Sequence, residues 1–201
     1  MLTHKSLLEA YVYAKDKCTP ALIHDIYHAN ALVSISASAS AVSFPPLVVG
    51  VEGIAQTLVT DFAKRFTRCR TYYVCDQLFL NEDRISYLPW LVLMREEVSA
   101  SLRIGRGYYH WQLTRELESQ WRVSEMHIRI DHMMLVADIA GDLLTTLQSF
   151  LSYPWLSPKV LDTAFAVIAE SNRDFSFLRE FKSDKLAWPQ QMPQASVRTS
   201  R

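Results

Sequence analysis

Four ionisable side chains alternate with apolar residues in one segment of the chain. They are Glu125, His127, Arg129 and Asp131. In a β-strand, residues two apart lie on the same face, so these four share a face. On one interpretation they line a polar pocket in which Asp131 or Glu125 orients His127, and the imidazole removes a proton beside a carbonyl. On the other, they lie on the outer face of a sheet, paired across strands and buried in a dimer, while the apolar residues between them face the core. Strand alternation favours the second interpretation.

A contiguous run of aromatic and titratable residues, Tyr108 to Trp111, is the second candidate set. If its strand turns Tyr108 and His110 inward, they face Tyr73 or Tyr11 across the fold and act as orienting hydroxyl and acid–base group. If not, the rings pack against neighbouring strands. The candidate catalytic residues are therefore His110, His127 and Asp131, and the candidate substrate-binding residues are Tyr11, Tyr73, Tyr108, Trp90 and Trp111.

Metal and nucleotide chemistry find little support in the sequence. His24 and His28 are four apart, but residues 24–28 read HDIYH and lack the glutamate of an HExxH site, so we interpret them as a solvated helix face. The five glycines form no phosphate-cradling loop of the GxGxxG or GxxxxGKS type. We therefore expect neither a metal nor a cofactor.

Cysteine usage and the first residues predict the compartment. The three cysteines are an odd count without a CxxC pair, which indicates a reduced, cytoplasmic setting. Residues 1–16 include charged side chains and lack the uninterrupted apolar stretch and small-residue cleavage site of a signal peptide.

Composition excludes several classes of partner. The chain has 201 residues, with 21 Lys and Arg against 21 Asp and Glu and a pI near 7.0, so no net field would attract nucleic acid or an anionic membrane. Hydrophobic residues make up 49%, which indicates a packed core, and no apolar run approaches the roughly 20 residues that cross a bilayer.

Hydrophobic periodicity predicts helices at both ends and strands between them. Residues 3–16 form an amphipathic helix, a short helix follows Thr19-Pro20, 31–37 is a strand, and 51–66 is a third helix. Four long segments rich in aromatic and β-branched residues then predict an antiparallel meander; they are 70–80, 84–98, 101–115 and 121–132.

The sequence also predicts where the sheet bends and where the parts of the chain begin and end. Pro89, Gly105 and Gly107 are natural sites for bulges, so the sheet is expected to curve strongly. Helical periodicity returns after Asp131, first at Leu135–Leu151 and again at Val160–Ala169. The expected organisation is an α+β domain over 1–135, a C-terminal helical extension over 136–184, and a disordered tail over 185–201.

Three stretches carry a resemblance to a known fold family. They are LLEAYVYAKDKCTPALIHDIYHANALVSI, GVEGIAQTLVTDFAKRF and YYHWQLTRELESQWRVSEMHIRID, within residues 5–132. Their order resembles the nuclear transport factor 2-like superfamily, which includes the SnoaL-like polyketide cyclases, scytalone dehydratase and ketosteroid isomerase. The resemblance implies a curved antiparallel sheet wrapped around N-terminal helices to form a cone, with a ligand pocket inside. This chain has Tyr72 and Tyr73 on the first sheet strand, where such members commonly carry histidine.

Two functions follow from the resemblance. The first is binding of a small hydrophobic molecule in the cone, with cofactor-independent lyase, isomerase or cyclase chemistry by histidine and aspartate. The alternative is a non-catalytic module of the same fold that forms a homodimer through the sheet face or docks a partner. An open cavity with an inward histidine and a nearby carboxylate would support chemistry, whereas a cone filled by Trp90, Trp111 or Phe79 would support the module.

Overall fold

The computed structural model describes residues 3–37, 44–117 and 120–186, with side chains except at 116 and 117. The chain opens with helix α1 (His4–Asp16), which the side chain of Thr3 caps by accepting from the amide of Ser6. A 3₁₀ turn (Pro20–Leu22) leads into the short helix α2 (Ile23–Ile26). Both helices lie where apolar periodicity predicts them.

A mixed helical segment follows the first two strands, β1 (Tyr27–Ala37) and β2 (Leu47–Val49). It consists of α3 (Val51–Ile54), a π-helical stretch (Ala55–Thr60) and α4 (Asp61–Ala63). The predicted end at residue 66 is wrong because Phe66 already begins the next strand, where its ring is buried.

Long strands form the predicted meander. They are β3 (Phe66–Val74), β4 (Arg84–Glu96), β5 (Ser101–Leu117) and β6 (Gln120–Ala137). With β7 (Trp155–Leu156) they form one sheet in the order β2-β1-β6-β5-β4-β3-β7. Strand β1 runs parallel to β6, β7 runs parallel to β3, and all other pairs are antiparallel.

Bulges curve the sheet, and they occur near the predicted positions. The register between β5 and β6 shifts between Arg106 and Gly107, and that between β4 and β5 shifts between Ile85 and Leu88, next to Pro89. A side chain at Gly107 would place its Cβ 1.9 Å from the carbonyl oxygen of Arg129, so only glycine fits there. Asp131 is the extra residue opposite this shift, because Ile130 pairs with Gly107 and His132 pairs with Arg106.

The C-terminal part packs on the outer face of the sheet. It contains α5 (Asp142–Phe150), α6 (Pro158–Ser171) and two 3₁₀ segments (Arg173–Phe181 and Ser183–Lys185). The helical periodicity expected from Leu135 is wrong up to Ala137, since β6 continues there and pairs with the start of β5. Of the predicted tail, Leu186 is buried, and residues 187–201 lie outside the described part of the chain.

Two cores therefore share one curved sheet. The inner face packs against α1–α4, and the outer face of β3, β4 and the first half of β5 packs against α5 and α6. The outer face of β1 and of the neighbouring halves of β5 and β6 carries half-buried polar residues instead. The predicted α+β class, with a cone-like sheet around N-terminal helices, is confirmed.

Candidate functional site

Aromatic side chains fill much of the cone, and Tyr11 on α1 lies among them. Its ring meets those of Tyr27, Tyr109 and Trp111 edge-on, with centroids 6.1, 6.0 and 5.2 Å away. Trp90 stacks at a tilt on Tyr109 at 5.7 Å. All five side chains are buried. The structure thus brings together Tyr11, Trp90 and Trp111, three of the predicted substrate-binding residues.

The hydroxyl groups in the cone are neutral. Burial raises the pKa of Tyr11 to about 12 and holds the pKa values of Tyr27, Tyr73 and Tyr109 well above the usual 10. Tyr73, the fourth predicted binding residue, donates its hydroxyl to the carbonyl of Leu8 at 2.9 Å. These groups can offer hydrogen bonds but no charge.

A small cavity remains between the helices and the inner face of the sheet. Its volume is about 60 Å³, and its walls are almost entirely apolar. Lys15, Thr71 and Trp90 are among the lining residues that carry polar atoms. The indole N–H of Trp90 is buried without a hydrogen-bond partner in the described part of the chain.

A buried ion pair of Lys15 with Asp16 lies at the C-terminal end of α1, and Lys15 also lines the cavity. The Asp16 side chain has 0% exposure and accepts from Lys15 Nζ at 2.5 Å. It also accepts from the Thr71 amide at 2.6 Å, the Thr71 hydroxyl at 3.1 Å and the Tyr153 hydroxyl at 3.1 Å. Apart from the neighbouring lysine, the donors belong to β3 and to the segment just before β7.

The surroundings keep Lys15 charged and Cys69 protonated. Burial opposes the charge of Lys15, but the adjacent carboxylate and the Cys69 sulfur, 3.3 Å from Nζ, hold the lysine pKa above its usual range. Burial, followed by the charge of Asp16, raises the pKa of the Cys69 thiol. Sequence reasoning missed this cluster, although Lys15 continues the apolar stripe of Leu8 and Tyr11 at helical spacing.

The predicted catalytic histidines lie on the opposite face of the sheet. His110 and His127 are cross-strand partners on β5 and β6, with ring centroids 5.9 Å apart. Burial, then the charge of His127, lowers the pKa of His110; burial, then Arg129, lowers that of His127. Both imidazoles are therefore neutral at pH 7.

Serine hydroxyls hold His127, and no carboxylate contacts its ring nitrogens within residues 3–37, 44–117 and 120–186. Ser34 Oγ lies 2.7 Å from Nδ1, and Ser36 Oγ lies 3.0 Å from Nε2. Asp131, expected to orient the imidazole, instead accepts from Arg129 at 3.1 Å. Glu125 is exposed, in accord with the interpretation that the four ionisable residues lie on the outer face.

The interpretation in which Tyr108 and His110 face Tyr11 and Tyr73 is wrong, because these two side chains lie on the outer face of β5. Gly107 faces the cone beneath Trp90, so Tyr109 and Trp111 follow it inward while Tyr108 and His110 point outward. Tyr108 stacks on Tyr87 at 4.7 Å, outside the cone.

The remaining predicted features also have defined places. Phe79 is 79% exposed and contributes nothing to the filling of the cone. His24 contacts Glu52 at 3.7 Å, and His28 Nδ1 accepts from the amide of Asn30.

Among residues 3–37, 44–117 and 120–186, no three His, Cys, Asp or Glu side chains are grouped to hold a metal. No helix in the same ranges is long and apolar enough to cross a membrane.

Comparison with known proteins supports the fold. No family model matches the sequence, and no curated protein matches it. Among solved structures, LinA superposes with a TM-score of 0.55 at 17% identity, covering 67% of this chain and 88% of LinA. The hexachlorocyclohexane dehydrochlorinase LinA-type3 from Novosphingobium barchaimii LL02 gives a TM-score of 0.52 at 16% identity, over 67% of this chain and 88% of its own.

A third similar structure carries the superfamily name. It is a nuclear transport factor 2-like superfamily protein from Salmonella enterica serovar Typhimurium, with a TM-score of 0.49 at 14% identity over 66% of this chain and 87% of that chain. The superposition on the two LinA structures shows that the chain shares their fold, and this is the fold that the sequence resemblance to the nuclear transport factor 2-like superfamily implies.

Proposed function

We propose that this chain binds a small apolar molecule in the cone. The observation that carries the proposal is the apolar cavity of about 60 Å³ between the helices and the inner sheet face. The expected ligand is therefore small and apolar.

The size of the cavity limits the ligand. A dry cavity of about 150 Å³ accommodates benzene, so a ring needs more room than the side chains now leave. Met94, Met133, Phe44 and Phe62 form part of the wall. Methionine side chains change rotamer at low cost, so entry of a ligand would be accompanied by movement of Met94 and Met133.

Chemistry in the cone would depend on Asp16. Hexachlorocyclohexane dehydrochlorinases, by name, remove HCl from a chlorinated apolar ring, and such rings are one ligand class to test. Removal of a proton requires a base, and Asp16 is the carboxylate beside Lys15 and Thr71. Four donors already contact its oxygens, so at least one of them would have to move before the carboxylate could take a proton.

The test is a titration of the full chain with benzene and chlorobenzene, followed by tryptophan fluorescence and by NMR of the methionine methyl groups. Saturable shifts of Met94 and Met133 are expected. Met133→Ala enlarges the cavity and should tighten binding, whereas Val92→Phe fills it and should abolish the shifts. Leu135→Ala, an exposed site on the same strand as Met133, is the matched control. Absence of saturable shifts in both the wild type and Met133→Ala contradicts the proposal.

The second candidate is the non-catalytic module, and the filling of the cone by Trp90 and Trp111 favours it. Its interface would be the open outer face, where Leu32 is 39% and Leu47 is 54% exposed. A homodimer through this face predicts a sedimentation mass twice that of the chain, reduced to the monomer by Leu47→Asp. A wild-type chain that stays monomeric at all concentrations would contradict the homodimer proposal.

A further inference from the structure

The open outer face contains a serine–histidine arrangement that the cone does not use. Ser34 on β1 is in register with His127 on β6, and its Oγ lies 2.7 Å from Nδ1. Ser36, two residues along the same strand, contacts the other ring nitrogen at 3.0 Å. All three side chains are half-buried, so solvent and a small ligand can reach them.

The two serines contact both ring nitrogens of His127. A neutral imidazole has one N–H donor and one acceptor nitrogen, so one serine must donate and the other accept. In the tautomer with the proton on Nε2, Ser36 accepts it and the hydroxyl of Ser34 donates to Nδ1. A hydroxyl that donates to a basic nitrogen is an activated nucleophile.

We propose that Ser34 is a nucleophile with His127 as its general base, in a site on the outer face that hydrolyses small carboxylic esters. Ser36 is the positioning residue, which accepts from Nε2 in this tautomer. The site is separate from the cone, so it does not depend on the proposed ligand there.

A groove of about 350 Å³ beside Ser34 defines the substrate class. Leu32 and Leu47 flank Ser34 on one side, Leu47 being its register partner on β2, and they favour an apolar acyl group. Arg84 and Gln112, hydrogen-bonded to each other at 2.9 Å, lie on the other side. They favour a polar leaving group, and Glu125, which lines the same groove, disfavours an anionic one.

Each step balances with water as the only co-reactant. Oγ of Ser34 attacks the ester carbonyl while its proton passes to Nδ1 of His127. The bond between the acyl carbon and the leaving oxygen breaks, and that oxygen takes the proton from Nδ1 and leaves as an alcohol. Water, deprotonated by the same nitrogen, then attacks the acyl-serine, releasing the carboxylic acid and restoring Ser34.

The charges around His127 keep it available as a base. Arg129, Asp131 and Glu125 lie on its own strand, His110 faces it from β5, Arg84 lines the same groove from β4, and β1 and β2 place no charged side chain there. Burial, then the charge of Arg129, lowers the pKa of His127 below 6.5. The rate of acylation should rise with pH through that pKa and level off above it.

The test is labelling of the full chain with a fluorophosphonate, followed by intact mass and peptide mapping, and turnover of 4-nitrophenyl butyrate. One adduct per chain on Ser34 is expected. Ser34→Ala should abolish it, and His127→Gln should slow labelling roughly 100-fold, the usual contribution of a general base. Ser34→Cys retains a nucleophile and should retain acylation.

Control variants distinguish reaction at Ser34 from general reactivity of exposed serines. Ser149→Ala removes an exposed serine on α5 and should label like the wild type. Thermal melts show whether each variant is folded. Labelling of other residues only, hydrolysis by Ser34→Ala at the wild-type rate, or a rate that keeps rising in proportion to hydroxide would each overturn the proposal.

Discussion

Lys15 and Asp16 are neighbours in sequence, and the end of α1 buries both of them. A buried ion pair adds little to the stability of the fold compared with apolar residues of the same size. Removing one partner is costly, however, because it leaves a buried charge without a counter-ion. Here the carboxylate also accepts from Thr71 and Tyr153, so it links α1, β3 and the turn before β7. The pair therefore fixes how the first helix lies in the cone.

Replacing Lys15 by methionine should lower the free energy of unfolding by about 3–5 kcal/mol, because Asp16 then keeps a buried charge without its counter-ion. Adding Asp16→Asn should recover part of the loss. Lys17→Met, at the exposed next lysine, should change stability by less than about 0.5 kcal/mol. Urea unfolding measures all three. A Lys15→Met chain as stable as the wild type would show that Asp16 takes up a proton or moves to solvent.

His110 and His127 should make stability depend on pH. Their folded pKa values are lowered, so the unfolded state binds protons more readily. Their contribution to stability is complete above the unfolded pKa of about 6.5 and is lost as pH falls through the lower, folded values. Urea unfolding between pH 7.5 and 5 should show this loss, and the double variant His110→Gln, His127→Gln should reduce it. An unchanged slope in the double variant would assign the loss to other groups.

The sequence identifies the residue types of the candidate site better than their positions in space. On β5, aromatic side chains occupy both faces, so the pattern Tyr108 to Trp111 does not reveal which ones point inward. The face is set by the close approach of Gly107 to Trp90 and Arg129, a contact between three strands that no local pattern contains. The serines around His127 come from a strand 93 residues away, so only the fold brings them together.

At the scale of elements, β5 and β6 form the longest pairing in the sheet, and Gly107 allows their close approach. Alanine there should clash with the carbonyl of Arg129, and overpacking of this kind costs about 1–3 kcal/mol or more. Gly53→Ala is the matched control, since its Cβ would meet only the Val48 side chain, at 3.3 Å, and alanine favours a helix. In thermal melts, the melting temperature should fall for Gly107→Ala and should stay the same or rise for Gly53→Ala. Equal melting temperatures would show that the strands separate locally without cost.

Element types follow well from the periodicity of apolar residues, and element ends follow less well. The four long strands and α1, α5 and α6 occur in the predicted regions, because their apolar patterns match the faces that are buried. The end of β6 is one that the periodicity predicts wrongly. Leu135 and Ile139 fit a helical period, but pairing of Leu135 with Arg103 keeps the chain extended, and Asp138 caps α5 only afterwards by accepting from the amides of Leu143 and Leu144.

At the scale of the whole molecule, the C-terminal part is joined to the sheet over a broad apolar surface. Arg106 donates to the carbonyls of Glu180 and Lys185, and Tyr87 donates to that of Leu186. These hydrogen bonds hold the end of the described chain against β4 and β5. The extension is therefore part of the structural core.

Ending the chain at Ala137 should expose an apolar surface that the helices now cover; it includes Tyr72, Leu91, Leu93, Leu102 and Ile104. Surfaces of this kind cause association, so the shortened chain should aggregate. A chain ending at Leu186 keeps the described contacts and should remain monodisperse under the same conditions. Size-exclusion chromatography with light scattering distinguishes these outcomes. A soluble, folded monomer of residues 1–137 would make the extension an independent addition.

The parallel pairing of β1 with β6 also orders events during protein synthesis. Ser34 and His127 are 93 residues apart, so α1, α2 and β1 leave the ribosome well before the strand they join. At about 5–20 residues per second, that interval lasts roughly 5–20 s. During it, the edge of β1 that pairs with β6 has no partner strand, although the helices that cover its inner face are made before β6. Until β6 is synthesised, that edge can pair with a strand of another chain, so a chaperone that shields β1 would be needed in this interval.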